Sequence, residues 1–190
     1  QIPFLQEHED FCAIVGNKIF EGGAVIGSET PNEVLDSNFI EYREKYKIKG
    51  DRAEVVKTEV MRQFPFPDIE GEKFCSEGYI WTDIAAQYKA RYLPESFITC
   101  EYLADGISNN AIKITRDNPI GSMWSFTKYA LHPDTHWTKQ IPYSMYFWCY
   151  SYDSSLKFTE KARIIGWQYV PLLPLGLLYR LVKFQTIKRK

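Results

Sequence analysis

Phe66-Pro67-Asp68-Ile69-Glu70-Gly71-Glu72-Lys73-Phe74-Cys75-Ser76-Glu77-Gly78-Tyr79-Ile80-Trp81-Thr82-Asp83-Ile84-Ala85-Ala86-Gln87-Tyr88 is the stretch on which the fold turns. Ile80, Trp81, Ile84, Ala85 and Tyr88 recur at the spacing of one helical face, and Ser76 stands where a hydroxyl caps a first turn. Upstream, Val55, Val56, Val60 and Met61 suit a strand that enters a helix, which Pro65 and Pro67 stop. Before that, Phe11 to Val15 is a short apolar run, and Glu21-Gly22-Gly23 is a turn signal ahead of Ala24 to Gly27. Residues 28–50 are polar and rich in tyrosine, which predicts a loop with a short helix. Downstream, Phe97 to Tyr102 is expected to be a strand ending in the turn Ala104-Asp105-Gly106. Aromatic residues then crowd 109–150 around a loop at His132-Pro133-Asp134. Strands and helices therefore mix, and the expected class is α/β. No internal repeat, flexible linker, GxGxxG or GxxxxGK loop is found.

The composition suits a folded domain: 190 residues, 45% hydrophobic, 16% aromatic and 25% charged. A chain of this length buries a core without help from metals or disulfides. Cys12, Cys75, Cys100 and Cys149 are scattered with no CxxC among them, which fits a reducing compartment rather than a zinc or disulfide framework. The first residues, Gln-Ile-Pro, show neither the basic nor the apolar region of a signal peptide, so none is expected. Net charge is −1, but Lys161, Arg163, Arg180, Lys183, Lys188, Arg189 and Lys190 stand in a final segment without a single acid. The preceding 160 residues hold 16 basic and 24 acidic side chains. An acidic body with a basic tail argues against a nucleic-acid partner.

Two carboxylates, Glu72 and Glu77, stand five positions apart, the second at the mouth of the expected helix. Helix N-termini favour negative charge by about 0.3–1 kcal/mol. A carboxylate so placed accepts a proton from a hydroxyl nucleophile, or simply improves the helix start. A pair of carboxylates flanking a sugar also describes a glycosidase, but these two sit too close in sequence around one helix start to be preferred for that role. His132 and His136 have metal-ligand spacing, yet Pro133 falls between them and a loop is expected. The stretch Glu7-His8-Glu9-Asp10 lacks a preceding apolar strand and is expected to be a solvated loop.

The pattern Phe66-Pro67-x-x-x-Gly71-Glu72-Lys73-Phe74-x-x-Glu77-x-x-x-Trp81-x-x-Ile84-Ala85-x-x-Tyr88 resembles the C-terminal half of family 2 glycosyltransferases of the GT-A fold, close to the bacterial branch that builds cell-surface polysaccharides. Flanking segments agree: Lys49-Gly50-Asp51-Arg52-Ala53-Glu54-Val55-Val56-Lys57-Thr58-Glu59-Val60 resembles the strand-then-helix lead-in, and Glu101-Tyr102-Leu103-Ala104-Asp105-Gly106-Ile107-Ser108 the segment after the base. The resemblance covers roughly residues 10 to 130. It implies a Rossmann-like mixed sheet and an inverting displacement in which Glu77 is the catalytic base. Ser76 takes the position of the family's Glu, and Asp83 stands where many members have arginine. Asp105 falls on a histidine position beside the donor diphosphate and its Mg²⁺ or Mn²⁺, or is an ordinary Asp-Gly turn residue. Glu72, Arg52 and Lys57 are candidate substrate contacts, with surface solvation the plainer use of Arg52 and Lys57.

The family holds metal and nucleotide sugar through an Asp-x-Asp motif, and this chain contains none. The resemblance therefore implies a donor half of about a hundred residues ahead of Gln1. Residues 1–150 are expected to form the acceptor-side portion and 151–190 a helical, basic tail. The run Ile164 to Val182 is apolar but broken by Pro171, Pro174, Gly176 and Arg180, so it suits the membrane surface better than a span, with a buried terminal helix as the alternative. The expected protein is a glycosyltransferase on the cytoplasmic face of a membrane, moving a sugar from a nucleotide sugar to a lipid-linked glycan. A non-catalytic membrane-docking or scaffold module is the competing expectation.

Overall fold

Five consecutive apolar residues, Phe11-Cys12-Ala13-Ile14-Val15, are what a strand buried on both faces requires, and they open the central strand of the fold. The computed structural model describes residues 2–31, 33–101, 103 and 106–187. The chain divides into two units, Gln1–Pro65 with Ile80–Asn109, and Phe66–Tyr79 with Asn110–Lys190.

The first unit carries helix α1 (Ile2–Glu7) and strands β1 (Phe11–Ile19), β2 (Leu35–Ser37), β3 (Arg52–Val56) and β4 (Lys89–Thr99). Helices α2 (Phe39–Glu44) and α3 (Thr58–Gln63), and all but the first two residues of α4 (Gly78–Ala85), belong to it too. The sheet order is β2-β4-β1-β3; β1 and β4 run parallel, while the two edge strands are antiparallel to their neighbours. Val15, Ala90 and Tyr92 pack with Tyr42, Val60 and Ile84 of α2, α3 and α4. Ile14 and Leu93 pack with Phe11 and with Leu5 of α1. An α/β class, the strand-to-helix passage at 52–63 and the stop at Pro65 agree with the sequence reading.

Strand β4 begins at Lys89, well before the expected Phe97. Its buried half, Ala90-Arg91-Tyr92-Leu93, is masked in sequence by Lys89 and Arg91 and by the helical stripe that runs up to it. Arg91 is accommodated by stacking over Phe4 at 3.4 Å and by a two-pronged bond to Asp36 on β2, at 2.8 and 2.6 Å. The turn expected at 104–106 rests on Ala104 and Asp105, which lie outside the described residues.

A buried polar chain organises this unit. Between the pairs Val15–Tyr92 and Asn17–Ser96, β4 advances four residues while β1 advances two, which leaves the carbonyl of Pro94 without a ladder partner. Asn17 Nδ2 donates to that carbonyl at 2.7 Å, and its Oδ1 accepts Thr30 Oγ1 at 2.8 Å. Thr30 meets the Tyr42 hydroxyl at 3.2 Å, which accepts Arg52 Nε at 2.8 Å. Arg52 then donates to the carbonyls of Ile26, Asp51 and Ser28. Gly27 and Gly50 allow that approach. Both have positive φ, and a Cβ on Gly27 would stand 2.3 Å from the Lys49 carbonyl oxygen.

The second unit is helical: α5 (Ile107–Asp117, from Asn110 on), α6 (Pro119–Leu131), α7 (Trp137–Ser151), α8 (Phe158–Ile165), a 3₁₀ turn (Trp167–Leu172) and α9 (Leu173–Ile187). Met123, Phe147, Trp148, Tyr150, Ile165 and Phe184 form its core. The chain thus does not part at residue 150, because α8 and α9 close the core that α6 and α7 begin. Gly176 makes this possible, since a Cβ there would stand 2.5 Å from Trp148 Cβ. Of the aromatics of 109–150, Phe126, Tyr143, Phe147, Trp148 and Tyr150 pack in this helical core, while Trp137 is exposed. His132 and His136 flank the loop between α6 and α7, as their spacing around Pro133 predicts.

Replacing Arg52 by Ala leaves the Tyr42 hydroxyl with Thr30 alone and takes a donor from the buried Ile26 carbonyl and the part-buried Ser28 carbonyl, and is expected to lower stability by about 2–3 kcal/mol in urea unfolding. Burial pushes the Cys12 thiol up from 9.0 to about 11. The folded chain therefore keeps a proton that the unfolded chain releases, and this contribution is full below about pH 9 and lost as pH rises towards 11. Equilibrium unfolding of Cys12→Ala is expected to show a shallower loss of stability across that window than the wild type.

Candidate active site

Residues 66–77 leave α3 without regular structure and run to the start of α4. Phe66, Pro67, Asp68, Ile69, Glu72, Lys73, Phe74 and Cys75 line an open cleft of about 360 Å³. Two exchanged side chains hold this irregular stretch. The carboxylate of Glu72 accepts the Ile120 and Gly121 N–H groups at 2.6 and 2.7 Å, so it caps the first turn of α6. In return Asn118 Oδ1 accepts the N–H groups of Lys73 and Phe74 at 2.7 and 3.1 Å, while its Nδ2 donates to the Ile114 carbonyl at 2.8 Å.

Asn118 occupies the N-cap position of α6, but its side chain does not cap that helix. Glu72 does so instead, which frees Asn118 to fasten the backbone of the cleft. Pro119, the first helical residue, has no N–H to satisfy. Gly121 is required by the closeness of the two segments: a Cβ there would stand 2.9 Å from the Phe74 carbonyl oxygen. Cys75 Sγ lies 3.7 Å from Ser125 Oγ on α6, and burial raises its pKa.

Glu77 is exposed and immediately precedes α4. The Ser76 hydroxyl accepts the Gly78 N–H at 3.4 Å and the Ser76 carbonyl the Tyr79 N–H at 2.9 Å, so Ser76 stands at the helix start as its sequence position predicts. Gly78 lies close against the Tyr129 ring and hydroxyl, which would have to shift to admit a Cβ. Lys128 Nζ sits 3.4 Å above the Tyr79 ring. Glu77 is therefore an open carboxylate on a backbone pinned upstream by the Glu72–Asn118 exchange and downstream by α6 side chains.

The other sequence-selected residues are placed differently. Arg52 is 2% exposed and engaged in the buried chain of the first unit, which corrects the expectation of a solvated side chain or a substrate contact. Lys57 precedes α3, half-buried, and donates from Nζ to the His8 carbonyl at 2.8 Å. Both oxygens of Glu72 are taken by α6, so it shapes the cleft and is not poised to handle a substrate proton. Asp105 lies outside the described residues. Asn118 and Gly121 escaped the sequence reading. The Asn-Pro pair with a glycine two positions on was the available signal of a helix start in close contact.

Among the described residues no three His, Cys, Asp or Glu side chains converge to hold a metal ion. In the first unit, the space beside Cys12, Tyr42, Trp81 and Tyr88 is only about 20 Å³, a packing gap and not a ligand site. No family model, curated protein or solved structure matches the chain.

Glu72→Ala removes a charged cap from α6 and is expected to cost about 1–2 kcal/mol in urea unfolding, with Glu72→Gln losing less because one carbonyl oxygen remains. In the Ala variant the amides of Ile120 and Gly121 should also lose hydrogen-exchange protection; unchanged protection would mean that another group caps α6.

Proposed function

We propose that this chain is the acceptor-side part of an inverting nucleotide-sugar glycosyltransferase of the GT-A type, with Glu77 as general base. The observation that carries the reading is the exposed Glu77 carboxylate, held on a pinned backbone two residues beyond the lining of the 360 Å³ cleft. The family-like pattern from Phe66 to Tyr88 and the α/β class are compatible with it.

An acceptor hydroxyl seated in the cleft would give its proton to Glu77 as its oxygen attacks the anomeric carbon of the donor. The new C–O bond forms as the bond to the nucleoside diphosphate breaks, and the diphosphate leaves with the electron pair. Bringing the base within hydrogen-bond reach of the hydroxyl is worth about 10²–10⁴ in rate. The Glu72–Asn118 exchange and the Gly78–Tyr129 contact serve this step by fixing the backbone on either side of Glu77. Mg²⁺ or Mn²⁺, which the resemblance implies, would offset charge on the departing diphosphate; among the described residues no three His, Cys, Asp or Glu side chains converge to hold it. Asp105 keeps its proposed place beside the diphosphate on sequence pattern alone. In this reading a lipid-linked glycan is the acceptor, met at the cytoplasmic face of a membrane.

The second reading is a non-catalytic docking module. It is favoured by one fact: Glu72 and Arg52, both candidate substrate contacts, spend their polar atoms on holding the fold. Transfer assays on the full-length gene product with a panel of nucleotide sugars decide between them. Glu77→Gln is expected to cut the transfer rate by about 10²–10⁴ with an unchanged melting temperature. A wild-type rate in that variant would leave Glu77 as a helix-start carboxylate and the module reading in its place.

A further inference from the structure

Helix α9 has its polarity reversed. Its exposed positions with described side chains are Pro174, Leu175, Leu178, Leu181 and Val182, all apolar; the last four are 47, 58, 57 and 63% exposed. Its cations turn inward. Arg180 donates to both oxygens of Asp153 and to the Cys149 carbonyl, and Lys183 donates to the Tyr150 hydroxyl at 2.9 Å. A helix at a water-facing surface places leucine inward and arginine outward. Here the inward side is already filled, by Gly176 against Trp148 and by Phe184 in the core.

The apolar surface does not stop at α9. Trp167 is 56% exposed and lies with its ring 6.3 Å from that of Phe158, itself 49% exposed. A cavity of about 170 Å³, lined mainly by apolar side chains, joins Phe158 and Lys161 of α8 to Leu173 and Leu177 of α9.

We propose that this outward face of α9, with Trp167 beside it, docks into the surface of a bilayer that carries anionic headgroups, the helix lying in the plane of the membrane. Charge selects this occupant over a second copy of the chain. Residues 161–190 carry seven cations and no acid, so two copies meeting through α9 would bring two such segments together, whereas an anionic lipid surface attracts them. The described helix is short for a span: its fifteen residues reach about 22 Å against about 30 Å of hydrocarbon. No described helix is long and apolar enough to cross a membrane. An exposed tryptophan beside an apolar face is the usual composition of an interfacial helix. The inference is independent of the Glu77 assignment.

Flotation of the 190-residue chain with phosphatidylglycerol–phosphatidylcholine vesicles, with pure phosphatidylcholine vesicles as the comparison, tests it. The wild type is expected to float with the anionic vesicles, several-fold less with neutral ones, and less again at about 1 M salt, where screening shortens to about 3 Å. Leu178→Glu with Leu181→Glu sits on the exposed face, so its melting temperature should stay at the wild-type value while flotation falls at least tenfold. Lys188→Gln, Arg189→Gln and Lys190→Gln together should erase the preference for anionic lipid. Equal flotation of the double Glu variant, no flotation of the wild type, or equal flotation on neutral lipid overturns the proposal. Sedimentation showing a wild-type dimer that the double Glu variant abolishes, with no vesicle binding, assigns the face to a second copy and overturns it too.

Discussion

Two oxygens of one carboxylate accept two backbone N–H groups at the start of α6, and the asparagine that would ordinarily cap that helix fastens the stretch that supplied the carboxylate. The helical unit depends on this exchange, because residues 66–77 have no ladder or helix of their own to satisfy their backbone. Ordering this twelve-residue irregular stretch costs about 1–2 kcal/mol per residue in backbone entropy, which these hydrogen bonds help to offset. A carboxylate is well suited to the task, since it answers both the unpaired donors and the positive end of the helix dipole. Gly121 and Gly78 mark where the contact is closest.

The sheet unit is organised by a different device with the same logic. A bulge in β4 exposes the Pro94 carbonyl inside the protein, and the debt is passed along Asn17, Thr30 and Tyr42 to the guanidinium of Arg52. Arginine can close such a chain because its donors diverge, reaching a hydroxyl and several carbonyls at once. The stacking of Tyr42 on Tyr92, with centroids 3.6 Å apart, seals the chain from water. Candidate substrate residues thus turned out to be fasteners: Arg52 in the sheet unit, Glu72 in the helical one.

Legibility followed the range of the forces involved. The passage from β3 into α3, the halt at Pro65 and the stripe of α4 were readable because periodicity and proline act over a few residues. The first half of β4 was not, because Arg91 is accommodated in a central strand through Asp36 and Phe4, partners distant in sequence. The short β2 lay within a polar stretch whose pairing with β4 leaves no local pattern. Glu77 was visible as a helix-start carboxylate and Ser76 as its neighbour, but the close contact at Gly78 shows only once Tyr129 is in place.

The amino-acid sequence alone determined the α/β mixture, the carboxylate at the mouth of α4 and the split between an acidic body and a basic end, since composition, periodicity and charge are local or additive properties. Only the tertiary structure decided which charges are used up in holding the fold. Arg52 and Glu72 read as free in the chain and are committed in space, and of the apolar tail, read as a membrane-surface segment or a buried helix, Leu175, Leu178 and Leu181 face outward while Leu173 packs against the helical core. The physical reason is common to all of them. Burial and pairing depend on partners that are far apart along the chain and brought within 3 Å or so only by folding.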